Sequence, residues 1–503
     1  MKRACAAAFA LALVGAASGK DLLGVYQDAL QADPTIRQAD ANRKAARENA
    51  PQAIAELLPQ ISGNYGYSRT KQDQQSAQPY PSVVNPGQAI AVPFDVNGYT
   101  NQHGYNLQLR QSIFSWANWE TLKKANKQVA QAEADYKAAE EDLIQRVSTA
   151  YFNVLTAQDN LDAQQASLEA IARQLDQANK RYEVGLIAIT DVKETQAQRD
   201  SQAAAVIDAK RQLASQQQAL REITYQEYPS LAKPGDNMPL QSPLPADPDR
   251  WVEASMDQNL ALVSSRLAAD IARDQVVVAR SGHLPTIDLS ASKNNYHQQV
   301  DETFAFGGPP ERINYPGESS QGQIQLQVTV PIFSGGLVQS QVRQSQYLWI
   351  AAKEHMAAVT RQTEHLARDS YSGVISGVSR VAALRQGLDS AETALKATEA
   401  GYEVGTRTAV EVLISRQNLV AAQTSYSQAR YAYIESIIEL RLAAGNLDAQ
   451  TLEEINHWLA VSQPLPASPV TEPTPGAPLA PGPQNLPPQT SPLPQQLPPP
   501  RSR

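Results

Sequence analysis

The sequence predicts a duplicated α+β membrane protein in which amphipathic strands alternate with very long paired helices. Three observations carry this reading. The chain repeats itself at a spacing of roughly 220 residues, it contains heptad-like runs far longer than a compact domain uses, and it carries strand-length segments with one apolar and one polar face.

The repeat rests on three pairs of segments in the same order. LLPQIS at 57–62 answers HLPTID at 283–288, NLQLRQSIFS at 106–115 answers QLQVTVPIFS at 325–334, and RYEVGLIAITDV at 181–192 answers GYEVGTRTAVEV at 401–412. The first repeat is expected over 20–228 and the second over 249–450, joined by a proline-rich linker at 229–248.

Residues 116–183 contain neither glycine nor proline. Their apolar and small residues, from Val129, Ala132, Tyr136, Ala139 and Leu143 on to Leu175, Ala178 and Tyr182, recur in steps of three and four, the seam of a coiled coil. At about 1.5 Å per residue the run makes a rod of roughly 100 Å. It stops at Gly185, and a second helical pattern starts beside Thr190 and Asp191, which suit a helix start. An antiparallel hairpin over 116–228 follows. The second half repeats it over 337–444, with its turn near Gly405.

Four segments have the period of strands, at about 60–70, 104–114, 286–296 and 322–333. Ile61, Tyr65 and Tyr67 alternate with Ser62, Asn64 and Ser68; Ile324, Leu326, Val328, Val330 and Ile332 alternate with Gln325, Gln327 and Thr329. A half-buried soluble sheet would show the same period. Four such strands, placed identically in two halves of an exported chain, point instead to a barrel with lipid outside and water inside. The Gln-, Pro-, Gly- and Asn-rich stretches at 72–102 and 298–320 read as exposed loops. About eight strands are needed to close a barrel around a passage, so several copies of the chain must share one.

The chain ends fit this picture. Lys2 and Arg3, the apolar run Ala4–Val14 and the small residues before Lys20 read as a secretory signal over 1–19. The only cysteine, Cys5, falls inside it, so the mature chain is expected to have no disulfide. The segment 451–503 ends in a proline-rich tail expected to be disordered. With 43 basic against 51 acidic residues, a net charge of −8 and no basic tract, nucleic acid is not an expected partner.

No nucleophile elbow, phosphate loop or paired-cysteine site is present, and His355 and His365 are too far apart on their helix to share a metal. No enzyme activity, cofactor or metal is expected. The residues that stand out lie at the hairpin turns: Tyr402, Arg407 and Glu411 in the second half, and Asp191 at the place equivalent to Glu411 in the first. Capping and solvation explain acids at helix starts. In an assembly around an axis, however, each such side chain becomes a ring that closes or filters a passage.

The tip motifs RYEVGLIAITDV and GYEVGTRTAVEVL, the PIFS block and the duplicated halves resemble the TolC-like outer-membrane efflux and type I secretion channels over about residues 21–450. The resemblance implies a homotrimer whose four strands per chain make one twelve-stranded β-barrel in outer-membrane lipid. That barrel is continuous with an α-helical coiled-coil barrel in the periplasm. It implies export of proteins or small toxic compounds with a periplasmic adaptor and an inner-membrane ABC or proton-driven transporter. It also implies that bonds among Asp191, Tyr402 and Arg407 hold the periplasmic end closed, and that the second half's inner hairpin moves outward to open it like an iris. Val184, Gly185 and Leu186, with Val404, Gly405 and Thr406, match the turns that meet the adaptor. One departure is that close relatives carry two acidic rings at the entrance; Glu411 fits the first, but Ile414 occupies the second position. The rival reading is a periplasmic adaptor, which would have one hairpin flanked by small β domains.

Overall fold

The computed structural model describes residues 19–235, 238–306 and 308–460. The expected signal, Gly19 apart, and the proline-rich tail lie outside the described residues. The first half runs α1 (Leu22–Ala32), α2 (Pro34–Arg47), α3 (Asn49–Ala55), β1 (Gln60–Pro81), β2 (Ala89–Phe114), α4 (Trp116–Glu183) and α5 (Ile189–Thr224). The second runs β3 (Lys233–Pro234), α6 (Pro248–Gln258), α7 (Leu260–Ser281), β4 (Thr286–Phe306), β5 (Glu311–Thr329), α8 (Leu337–Glu403), α9 (Ala409–Ala444), α10 (Ala449–Asn456) and β6 (Leu459–Ala460).

Each strand hands over to its long helix in a few residues. Ser115 caps α4 by accepting from the Asn118 amide at 3.3 Å. In the second half Gly335 and Gly336 make the same turn with φ of +63° and +83°, a region open to glycine. Helix α5 stops at Thr224, short of the expected 228, where Tyr225 takes φ +55°. The residues before β1 and β4, to which the sequence pattern assigns no element, are helical. One helix, α7, serves the second half where α2 and α3 serve the first; Pro51, at the third position of α3, cannot donate to a ladder across the break.

The four long strands form one antiparallel sheet in the order β1-β2-β4-β5. It extends well past the expected strand ends. The stretches 72–102 and 298–320, expected to be loops, are strand except for the turns around 82–88 and 308–310. Side-chain polarity does not interrupt a backbone ladder, and the prolines sit where a ladder tolerates them. Pro79, Pro81 and Pro316 lie on the outer strands β1 and β5, and Pro93 lies beyond the last β2–β4 pair, Phe94 with Phe306. At the other end β5 stops at Thr329, before Pro331.

The core gathers midway along the rods, where α4, α9, α1, α6 and α10 meet around Leu143, Tyr151, Phe152, Tyr433, Ile434 and Leu452. The segment expected to be a linker is built into it. Leu231 and Ala232 are buried, β3 pairs with β6, and Tyr151 Oη donates to the Ala232 carbonyl at 2.7 Å. Asp159 accepts from Tyr431 Oη at 2.6 Å and pairs with Lys233 Nζ at 2.7 Å. This ties both halves to the intervening chain.

Three carboxyls here are raised by burial, Glu141, Glu435 and Glu439. Glu141 is pushed up to about 7 by desolvation, against the Leu447 amide that favours its charge. Glu435 is pushed up to about 7 by desolvation and by nearby Glu439. Acids whose folded pKa is raised bind protons more readily folded than unfolded, so they favour the fold at low pH and lose that contribution as pH rises through about 7. The midpoint of thermal unfolding followed by circular dichroism is therefore expected to fall between pH 5 and 8. The double variant Glu141→Gln, Glu435→Gln is expected to flatten that slope; an unchanged slope would rule out these two groups as its source.

Candidate functional site at the helix tips

Both hairpin turns are built alike. After α4, Gly185 N–H donates to Tyr182 O at 2.9 Å and Leu186 N–H to Arg181 O at 2.9 Å; after α8, Gly405 N–H donates to Tyr402 O at 3.1 Å and Thr406 N–H to Gly401 O at 2.8 Å. These paired bonds satisfy the last carbonyls of each rod and require a left-handed residue between them. Gly185 and Gly405 supply it, with φ of +76° and +80°. The flanking Val184, Leu186 and Val404 are 70%, 73% and 76% exposed, so each tip offers apolar side chains to solvent.

The two starts of the returning helices differ. Thr408 caps α9 in a reciprocal box: its hydroxyl accepts from the Glu411 amide, and Glu411 accepts from the Thr408 amide at 2.8 Å. Arg407 Nη1 adds an ion pair to Glu411 Oε1 at 3.1 Å. The Thr408 amide first, and then Arg407, hold the Glu411 carboxyl below the usual range. Helix α5 has Ala188 at the same place and no side-chain cap, with half-buried Asp191 in its first turn. The second tip is thus stitched and the first is not.

Gly401 has a separate role. A Cβ there would meet Arg407 Cγ at 2.7 Å, so its bare backbone is what lets Arg407 fold across the end of α8. The matching residue of the first half is Arg181, whose guanidinium lies over the Tyr402 ring at 5.3 Å and joins the two tips by a cation–π contact. Sequence reasoning missed Arg181, although the repeated blocks differ at that first position. Tyr402 therefore meets Arg181 and Arg407 meets Glu411. Among the described residues of one chain, no hydrogen bond or ion pair joins Asp191 to Tyr402 or Arg407. Thr406 Oγ1 is occupied by the Gly401 carbonyl at 3.0 Å. Ile414, on the turn after Glu411, is half exposed. No group of three or more His, Cys, Asp or Glu that could hold a metal occurs among the described residues.

The chain matches the family model described as outer membrane efflux protein over residues 25–224 and again over 251–446. It is 34% identical to the outer membrane protein TolC of Escherichia coli (strain K12) over 93% of this chain and 91% of that protein. To the alkaline protease secretion protein AprF of Pseudomonas aeruginosa it is 27% identical over 89% of each. Among solved structures it aligns with the Campylobacter jejuni CmeC outer membrane channel at a TM-score of 0.66 and 19% identity, covering 88% of this chain and 90% of that one. With VceC from Vibrio cholerae the TM-score is 0.64 at 21% identity, covering 84% and 96%.

Gly405→Ala places a Cβ in the left-handed region and is expected to cost about 1 kcal/mol locally. Hydrogen exchange at the Gly405 and Thr406 amides should quicken about fivefold, with exchange in the mid-rod core unchanged. Equal rates in variant and parent would show that the turn does not depend on this conformation.

Proposed function

The chain belongs to the outer membrane efflux protein family and is an outer-membrane channel, not a periplasmic adaptor; from that premise we propose how it assembles, closes and is opened. Three copies pair the outer edges of β1 and β5 into one twelve-stranded barrel, and their helical hairpins form the periplasmic tunnel. What supports this is the sheet itself: four strands leave two open edges in each chain, and lipid offers no partner for a backbone N–H or C=O.

The tips then ring the tunnel's far end. Asp191 lacks Tyr402 and Arg407 as partners in its own chain, so the bonds that close the ring run between copies. The unlocked state is reached when an adaptor covers the exposed Val184-Gly185-Leu186 and Val404-Gly405-Thr406 turns. The second tip moves as one piece because Thr408, Arg407 and Glu411 are tied together. An inner-membrane transporter, ABC or proton-driven, delivers the cargo. One relative is a secretion protein for alkaline protease and another a pyoverdine export protein, and the cargo proposed here spans the same classes, proteins and small molecules.

The observation that carries this reading is the pairing of exposed apolar turns with exposed charges at the rod ends. In planar bilayers, Arg407→Ser should raise the conductance of the closed channel several-fold; unchanged conductance would count against the lock. Glu411 forms one acidic ring, and Ile414 leaves the next position uncharged. Block by a trivalent cation should therefore be weak, and Ile414→Asp should tighten it by about tenfold or more, since a ring of charge binds cations far better than a ring of apolar side chains. Block already tight in the parent and unmoved by the variant would refute this account of the entrance.

A further inference from the structure

The polarity of the sheet inverts along its length. Nearest the helices, one face carries Ile61, Leu109, Ala291 and Ile324 in successive strands, and the other carries Asn64, Asn106, Asn294 and Gln321. On β1 and β2 the apolar face continues to Tyr67 and Tyr105, whereas on β4 and β5 it ends at Ala291 and Ile324 and gives way to Lys293, Asn295, Ser320 and the His297–Glu318 pair. Beyond this level the faces exchange character. The face that was apolar now bears ion pairs, Lys71 with Asp73 at 2.8 Å and Arg312 with Asp301 at 2.6 Å. The face that was polar, interrupted by Glu302 on β4 and by Gln74, Ser76 and Gln78 on β1, now bears Tyr80, Phe94, Val96, Val300, Phe304 and Phe306.

These six residues belong to the lumen-side face by register. The β1–β2 and β4–β5 ladders are continuous, and the β2–β4 ladder shifts only between Ser112 and Phe114, at the opposite end. Without a bulge, alternation cannot change sides. The side chains themselves agree. Tyr80 and Phe306 touch across β2 with ring centroids 4.8 Å apart, Phe94 and Phe304 at 4.9 Å, and Val96 and Val300 are buried. The sheet also bends toward this face: a Cβ on Gly98 would lie 2.3 Å from Asp301 O, and one on Gly104 would lie 2.1 Å from Asn295 O. Yet Tyr80 and Phe306 remain 41% and 37% exposed in the single chain, so an apolar surface is left for something to cover.

We propose that the distal halves of the four strands form, between the copies of this chain, an apolar collar at the external mouth of the channel, roughly 23 Å above the level of His103. The proposal rests on the shared-barrel reading. Its occupant is the same face of the neighbouring copies, because the strands that must pair to close the barrel in lipid continue unbroken into the collar. An apolar constriction excludes water and ions without a charged lock. Cargo would pass it by pushing the strand extensions apart, so the channel would hold a second barrier, remote from the helix tips.

The test places single cysteines in a Cys5→Ser background, since Cys5 is the chain's only cysteine. Tyr80→Cys and Phe306→Cys report the inner face, and Thr303→Cys, on the opposite face of β4, reports the outer. Intact cells are treated with a membrane-impermeant maleimide, and the purified variants are sized in detergent by light scattering. The expected result is a trimer in which Thr303→Cys labels at least about tenfold faster than either inner-face cysteine. A trimer with equal labelling at all three positions overturns the collar and leaves the shared barrel standing. A monomeric membrane form overturns both.

Discussion

The backbone hydrogen bond in lipid is the constraint on which the rest depends. A strand in hydrocarbon has no water to satisfy its N–H and C=O groups, so every edge must be paired. One chain supplies four strands and two unpaired edges, and this shortfall is why the molecule makes sense as a shared barrel. The alternating faces follow from the same requirement. On β1 and β2 nearest the helices one face is Ile, Leu and Tyr; farther along the sheet that face bears the Lys71–Asp73 and Arg312–Asp301 pairs, and the opposite face gathers Phe and Val.

The rods answer a different demand. They are long, lack helix breakers over α4, and are held together chiefly at mid-length, where Tyr151 and Tyr433 bond the segment between the halves and Tyr431 ties α9 to Asp159 of α4. Beyond the mid-rod core a smaller cluster forms around Leu161, Val206 and Ala209, and single buried residues such as Ala178, Val192, Leu395 and Val412 continue the packing to the tips. The tips differ: the capping box and the Arg407–Glu411 pair make the second a single unit, whereas α5 starts without a side-chain cap and has Asp191 in its first turn.

Much of this is legible in the residues alone. The repeated blocks locate both hairpins, the glycine of each Val-Gly turn locates its left-handed residue, and the proximal alternation locates the membrane face. Less legible is whatever depends on partners distant in sequence. Arg181 finds Tyr402 across more than two hundred positions. The Gln- and Pro-rich stretches have the composition of loops; only the ladder, with its prolines on outer strands, makes them sheet. The helices before β1 and β4 go unassigned although α7 carries a helical stripe, Leu262, Ala269 and Val276, at every seventh position.

By itself, the sequence determined the local and periodic features: two hairpins, two left-handed turns, amphipathic strands and too few of them to close alone. Each of these is set by residues within a few positions of one another, through backbone conformation or side-chain period. The tertiary structure decided what long-range pairing controls. It packed the apparent linker into the mid-rod core, gave Tyr402 and Arg407 the partners Arg181 and Glu411 within the chain, and carried the register of the sheet unbroken to its outer end. That register brought scattered aromatic and apolar residues onto one face, because a strand's alternation has a direction only once its neighbours fix it.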